Sequence, residues 1–189
     1  MSDGGTVRIL GISGSLRRGS FNTATLRAAQ ELVPAGMTIE RLDIGPIPLY
    51  NEDVRQQGFP PPVEELRRHI KQADGLLITT PEYNYSIPGV LKNTIDWASR
   101  PPDQPFDGKP IAIIGASPGI LGTARAQYHL RQCFLFLNAY LLNRPEVMIT
   151  QAATKFDAHG KLTDQSTRDA IAAMLTAFKA WTLRMRSST

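Results

Sequence analysis

The chain has 189 residues, 42% hydrophobic and 20% charged, which is the composition of a soluble globular protein with a sizeable core. No hydrophobic run is long enough to cross a bilayer, and residues 1–6 show no signal peptide, so neither a membrane partner nor secretion is expected. The single Cys133 excludes an internal disulfide and fits a cytoplasmic protein, and the net charge of +4 comes from scattered basic residues, which disfavours a nucleic-acid partner.

Hydrophobic segments alternate with helical patterns along the chain. Five segments have the pattern of strands: residues 7–12, 38–42, 75–80, 110–115 and 146–150. Five others have the apolar spacing of helices: residues 23–33, 63–72, 88–98, 122–139 and the stretch after residue 165. The first, third and fourth strands are apolar throughout, and the second alternates weakly, as an edge strand does. We therefore predict one domain over residues 1–189 with a flavodoxin-like, doubly wound α/β fold, whose five-stranded parallel sheet has the order 2-1-3-4-5.

The remaining segments are two connections and the last helix. Residues 45–62 predict a Pro-rich loop and residues 154–165 a polar one. Ser166 and Asp169 have the spacing of a capping box that starts the last helix. Its inner face is predicted to carry large apolar groups: Ile171, Met174, Leu175, Phe178 and Trp181.

The loop after the first strand has the composition of an anion site. From Gly14 to Ser20 it contains glycines, hydroxyls and two arginines, and a helix follows. Backbone N–H groups at a helix N-terminus bind phosphate, and a guanidinium adds charge-assisted hydrogen bonds. The loop is neither a Walker A sequence nor the G-x-G-x-x-G fingerprint, and its side chains suit a terminal monophosphate. A plain turn from strand to helix is the alternative.

Two more loops follow the third and fourth strands, whose carboxyl ends lie near that of the first in the predicted sheet. Residues 81–89 are stiffened by Pro81 and Pro88 and offer two tyrosine rings among polar groups, which suits a planar heterocycle. A turn with incidental tyrosines is the alternative. In residues 115–122, small residues allow a ring to approach closely, and Ser117 either hydrogen-bonds that ring or caps the next helix.

Together the three loops resemble those of the NADPH-dependent FMN reductases, a flavodoxin-like family that includes NAD(P)H quinone reductases, azoreductases and chromate reductases. The resemblance covers about residues 7–149. Its motifs, in order, are Gly14-Ser15-Leu16-Arg17 with Ser20-Phe21-Asn22-Thr23, Pro81-Glu82-Tyr83-Asn84-Tyr85-Ser86-Ile87-Pro88-Gly89 with Leu91-Lys92-Asn93 and Asp96-Trp97, and Ser117-Pro118-Gly119 with Arg125-Ala126-Gln127. The chain departs from the pattern at residues 121–123, where many relatives carry a second glycine.

The resemblance implies FMN as cofactor, with NADPH or NADH as co-substrate. The residues that would hold the phosphate are Ser15, Arg17, Ser20, Asn22 and Thr23, and Leu16 and Phe21 belong to the same cofactor-binding segment. The isoalloxazine ring would lie along Pro81, Glu82, Tyr83, Asn84, Tyr85 and Ser86, with Ser117 and Gly119 on its other side.

In such an enzyme a hydride passes from NAD(P)H to FMN, the nucleotide leaves, and a quinone, azo compound, chromate or free flavin then receives two electrons. This ping-pong scheme needs no protein nucleophile, so no catalytic residue and no metal are assigned. The alternatives are a flavodoxin-type electron carrier, which the positive charge disfavours, and a non-catalytic FMN-binding module. The sequence leaves open the acceptor and the nucleotide preference, although Arg17, Arg18 or an arginine from a neighbouring subunit would suit a 2′-phosphate.

Other reactive side chains have simpler interpretations. Cys133 has core spacing on its helix and predicts a buried structural thiol. The three histidines, His69, His129 and His159, lack metal-ligand spacing. Nothing in the sequence places Glu82 beside Asp96, so loop and helix-surface roles are expected for them.

The helix of residues 122–139 is apolar on two sides. Its second stripe consists of Tyr128, Leu135, Phe136 and Ala139, and predicts a homodimer or homotetramer interface with polar partners at Arg125, Tyr128, Glu146 and Tyr85. The alternative is that the chain after residue 150 covers this stripe.

Overall fold

The computed structural model describes residues 5–186. Residues 1–6, for which we predict no signal peptide, lie mostly outside this range. The strands are β1 (Val7–Ser13), β2 (Met37–Leu42), β3 (Gly75–Thr79), β4 (Pro110–Ala116), β5 (Tyr140–Leu141) and β6 (Val147–Ile149). The helices are α1 (Phe21–Glu31), α2 (Glu52–Gln56), α3 (Pro61–Gln72), α4 (Gly89–Ala98), α5 (Ala124–Phe136) and α6 (Gln165–Arg186), with a 3₁₀ turn at Ala152–Thr154.

The strands form one parallel sheet in the order β2-β1-β3-β4-β5, with β6 also paired to β4. This confirms the predicted order. The fifth position is divided, because β5 pairs with the start of β4 at Pro110 and Ile111, whereas β6 pairs with its end from Ile114 to Ala116. The predicted fifth strand corresponds to β6, and the two-residue β5 is an addition to the prediction.

The central strands are buried on both faces, because helices cover the sheet on each side. One apolar cluster joins the sheet to α1 and α6, and the other joins it to α3, α4 and α5. The predicted inner face of α6 is confirmed for Ile171, Met174, Leu175 and Phe178, each at most 1% exposed. Trp181 is half-buried, and its indole donates a hydrogen bond to a backbone carbonyl of β5.

Helix starts differ from the predictions by up to two residues, as at α3 and α5, and for α1 and α6 the observed cap explains the difference. Helix α1 begins at Phe21, two residues early, because the Ser20 hydroxyl caps it by accepting the N–H groups of Asn22 and Thr23. The prediction of a capping box at Ser166 is wrong, because α6 begins one residue earlier, at Gln165. The carboxylate of Asp164 accepts the backbone N–H of Thr167 at 2.9 Å and is the observed cap.

The Pro-rich connection also contains the short helix α2, where a loop is predicted. Asn51 caps this helix by accepting the N–H of Asp53 at 2.9 Å, and acidic residues occupy its first turn.

Candidate active site

Three loops meet at the carboxyl ends of β1, β3 and β4 and enclose a cleft of about 420 Å³. Its lining consists of Ser15, Arg17, Ser20, Phe21, Asn22, Pro81, Glu82, Tyr83, Ala116, Ser117 and Pro118. Nine of these are predicted site residues, and sequence reasoning missed Ala116 and Pro118 as lining residues. Leu16 and Thr23 line a neighbouring groove instead, and four predicted residues lie outside the lining: Asn84, Tyr85, Ser86 and Gly119.

The first loop offers several unused hydrogen-bond donors. Within residues 5–186, the backbone N–H groups of Ser15, Leu16 and Phe21 have no acceptor. The Arg17 guanidinium lies 5.6 Å from the centroid of the Phe21 ring and makes no ion pair in this range. With the N-terminus of α1 directly behind them, these groups have the chemistry of a monophosphate site.

Asn22 connects this loop to the far side of the cleft. Its side-chain amide is buried, at 3% exposure, and makes two hydrogen bonds of 2.9 Å with the backbone of Ala116 at the end of β4. The Nδ2 group donates to the carbonyl, and Oδ1 accepts the N–H. Both polar ends of the amide are therefore engaged in holding α1 against β4.

The second loop contains a tight turn whose first residue, Tyr83, lines the cleft. Tyr83 and Ser86 exchange backbone hydrogen bonds of 3.1 and 3.0 Å across the turn. The two residues between them, Asn84 and Tyr85, have φ values of +48° and +67°, as a type I′ turn requires. A tyrosine rarely adopts a positive φ. The Arg125 guanidinium stabilises it there, lying 3.5 Å from the centre of the ring.

Glu82 joins the second loop to α5. Its side chain is only 7% exposed, forms an ion pair with Arg125, and accepts the backbone N–H of Ala126 at 3.2 Å. Thr123, the residue before α5, makes no side-chain cap. A carboxylate 44 residues away therefore caps this helix, where negative charge is favourable. The hydrogen bond that Arg125 donates to Glu82, together with the opposite charge, raises the pKa of the Arg125 guanidinium above its usual value.

The third loop is tied back to the sheet. The Ser117 N–H donates to the Ile149 carbonyl of β6, and the Ser117 hydroxyl accepts the N–H of Gly119 at 3.1 Å. The alternative in which Ser117 caps α5 is therefore wrong, because its hydroxyl stabilises its own turn while Glu82 caps the helix. Ser117 still lines the cleft.

The second motif continues into α4, where it supports the loops from below. Asn93 accepts the N–H of Tyr50 at 2.7 Å and donates to the Pro48 carbonyl at 2.8 Å, and the Trp97 indole donates to the same carbonyl. A Cβ at Gly14 would lie 2.9 Å from a Leu91 methyl group, so glycine lets the first loop pack on α4. These motif residues position the loops.

The other reactive side chains make structural contacts. Cys133 is half-buried, and burial raises the pKa of its thiol. Ser86 and the His129 Nδ1 lie 3.1 Å apart, and Asp96 is paired with Lys92. In the range 5–186, no three His, Cys, Asp or Glu side chains gather as a metal site requires, and no helix is long and apolar enough to span a membrane.

The predicted helix of residues 122–139 is shorter in the structure, since α5 ends at Phe136, and Ala139 lies beyond it, half-buried against the core. The other residues of the second stripe are exposed. Tyr128, Leu135 and Phe136 are 48%, 79% and 92% exposed. The alternative in which the chain after residue 150 covers this stripe is therefore wrong. Glu146 lies beside this face, with its carboxylate 3.4 Å from the Tyr128 hydroxyl.

These observations agree with the requirements of FMN. Backbone N–H donors and a guanidinium that have no acceptor among the described residues suit the phosphate together with a serine hydroxyl, and the turn of the second loop supplies a stiff edge for the ring. A cleft of about 420 Å³ lies within the usual range for a cofactor site.

Comparison with known proteins identifies the family. The family model for NADPH-dependent FMN reductase matches residues 7–154. An NAD(P)H-dependent FMN reductase of Pseudomonas aeruginosa is 60% identical over 186 residues, covering 98% of this chain and all of the relative. A quinone reductase of Escherichia coli K12 is 48% identical over 183 residues, covering 95% of this chain and 97% of the relative.

The structure of the flavoenzyme NAD(P)H:acceptor oxidoreductase from Paracoccus denitrificans superposes with a TM-score of 0.87 at 36% identity, covering 95% of this chain and 99% of that one. The chain belongs to the NADPH-dependent FMN reductase family, and is an oxidoreductase that uses FMN and NAD(P)H.

Proposed function

We propose that this protein reduces quinones with electrons from NAD(P)H by a ping-pong scheme, at the cleft formed by the three loops. The observation that carries the proposal is the set of unpartnered donors on the first loop, facing a rigid turn on the second. The quinone assignment follows the 48% identical quinone reductase. Azo compounds, chromate and free flavin are the other acceptors that we propose to test.

In this proposal Ser15, Arg17 and the first turn of α1 hold the FMN phosphate. The ring lies along residues 81–86, with Ser117 on its other side. FMN, when bound, supplies the hydride chemistry. The protein supplies position and electrostatics, since the N–H groups of Glu82 and Asn84 have no acceptor within residues 5–186 and can stabilise negative charge beside them.

No side chain is proposed as a catalytic acid or base. Glu82 is the carboxylate that lines the cleft, and it is engaged by Arg125 and the N-terminus of α5. Its role is to hold the second loop. Tyr83 lines the cleft and is half exposed, so its ring is the one that a flat nicotinamide or quinone would meet on entering.

We also propose that the chain forms a homodimer or homotetramer in the cytoplasm through the exposed stripe of α5. A helix that exposes Leu135 and Phe136 this far presents the kind of apolar patch that marks an interface. The second loop is joined to α5 through Arg125, so the interface would lie near the cleft.

Anaerobic stopped-flow absorbance of the FMN-loaded protein tests the reaction. We expect NADPH alone to bleach the flavin, and a benzoquinone added afterwards to restore the colour. Initial rates measured against NADPH concentration at several fixed quinone concentrations should give parallel lines in a double-reciprocal plot. Intersecting lines would contradict the ping-pong scheme. Bleaching that no quinone reverses, while an azo dye, chromate or free FMN does, would contradict the quinone assignment.

A further inference from the structure

A second groove, of about 370 Å³, adjoins the cleft on the outer side of the first loop. It lies between the first turns of α1 and the end of β2, and it shares Ser15 and Arg17 with the cleft. We refer to it as the arginine groove, because four arginines line it: Arg17, Arg18, Arg27 and Arg41.

The charges in the arginine groove are unbalanced. Asp43 is the acidic residue in its lining, and Asp43 Oδ1 accepts the Gly45 N–H at 3.0 Å. In the range 5–186, the side chains of Arg18 and Arg41 make no hydrogen bond and no ion pair. Crowding guanidinium groups without counter-charges is unfavourable, and binding an anion relieves the repulsion.

The dinucleotide co-substrate needs space beyond the cleft. The cleft measures about 420 Å³, which is the size of a site for one cofactor-sized ligand and not for FMN together with a whole dinucleotide. The adenosine half of the nucleotide must then lie outside the cleft. The arginine groove is continuous with the cleft at Ser15 and Arg17, and its charge is opposite to that of a phosphate.

From this arrangement we infer that the arginine groove binds the adenosine end of NADPH, with Arg18 and Arg41 contacting the 2′-phosphate. The inference rests on the proposed function, because it assigns the co-substrate of the same site. Guanidinium groups pair with phosphate oxygens in a bidentate geometry, and NADH has no group at this position. The two arginines therefore make the enzyme prefer NADPH to NADH.

The test compares NADPH with NADH in the FMN-loaded double variant Arg18→Gln/Arg41→Gln. We expect KM for NADPH to rise about tenfold, because two solvent-exposed ion pairs with the 2′-phosphate are lost. The value of kcat should not change, and KM for NADH should change less than about twofold. The variant Arg18→Lys/Arg41→Lys keeps the charge and should recover part of the affinity. Arg68→Gln removes an exposed arginine of α3 outside both lining sets and is the matched control.

Two measurements keep the inference testable if activity or folding fails. The single variant Arg41→Gln leaves the first loop intact and should give the same selective change at smaller size. Calorimetric titration with adenosine 2′,5′-bisphosphate needs no turnover. It therefore tests whether the arginine groove binds this end of the nucleotide even if quinone reduction is refuted. We expect binding to the parent holoenzyme and about tenfold weaker binding to the double variant. Equal rises in KM for both nucleotides, no rise, or no bisphosphate binding would overturn the inference.

Discussion

Replacing Asn22 by alanine tests whether this residue acts as a buried connection between α1 and β4. The substitution removes two hydrogen bonds of 2.9 Å and leaves the N–H and carbonyl of Ala116 without partners, at a site 3% exposed. Each lost bond costs about 1 kcal/mol, and each buried group left unpaired adds a similar amount or more. We expect a loss of about 3 kcal/mol in the free energy of unfolding.

Asn93 provides a matched control for this change. Its amide also bridges two backbone groups, those of Tyr50 and Pro48, but it is partly exposed, so water can replace the lost bonds. Asn93→Ala should therefore cost only about 1 kcal/mol. Asn22→Asp should cost at least as much as Asn22→Ala, because it places a second acceptor against the carbonyl of Ala116.

Urea unfolding of the FMN-free variants, followed by circular dichroism, measures these differences without the stabilisation that a bound cofactor adds. With an m-value of about 2 kcal/mol/M, the midpoint of Asn22→Ala should lie about 1.5 M below that of the parent. If Asn22→Ala shifts the midpoint no more than Asn93→Ala at the same m-value, burial of the amide is not what makes it important.

Three further predictions concern pH, assembly and the thiol. Hydrogen bonds from Thr167 and Ser166 lower the pKa of Asp164 from 3.8 to about 2, so its contribution to stability is present above the unfolded pKa and is lost as pH falls to about 2. The urea midpoint of Asp164→Asn should fall less steeply than that of the parent between about pH 4 and pH 2. Phe136→Glu should lower the molar mass measured by light scattering while leaving the circular dichroism spectrum unchanged, and an unchanged mass would exclude α5 as the interface. Burial raises the pKa of the Cys133 thiol. At mildly alkaline pH the thiol should therefore react with an aromatic disulfide more slowly in the folded protein than in urea, and equal rates would contradict this.

The parts of the fold that the sequence predicts well have a strong local pattern. The buried runs of β1, β3 and β4 and the apolar face of α6 are continuous enough to fix their type and approximate bounds. The loops between them carry motifs in an order that places them at one edge of the sheet. Fold and cleft could therefore both be expected before the structure was known.

The structure differs from the predictions where contacts between residues far apart in sequence determine the local structure. The two residues of β5 are a strand only because β4 lies beside them, and the cap of α5 comes from Glu82, 44 residues earlier. No local signal could reveal either. Asn51 and Asp164 do carry a local signal, since both are favourable N-cap residues directly before a helix, and this signal indicates α2 and the start of α6.

Each of the three walls of the cleft is fixed to a neighbouring element by hydrogen bonds. Asn22 joins the first loop to the end of β4, Glu82 joins the second loop to α5, and backbone bonds of Ser117 join the third loop to β6. A loop fixed in this way loses little conformational freedom when a ligand binds, so more of the contact energy appears as affinity. Weakening one connection should therefore loosen the neighbouring walls as well, and the cofactor affinity of Asn22→Ala should fall because the substitution frees the end of β4 from α1.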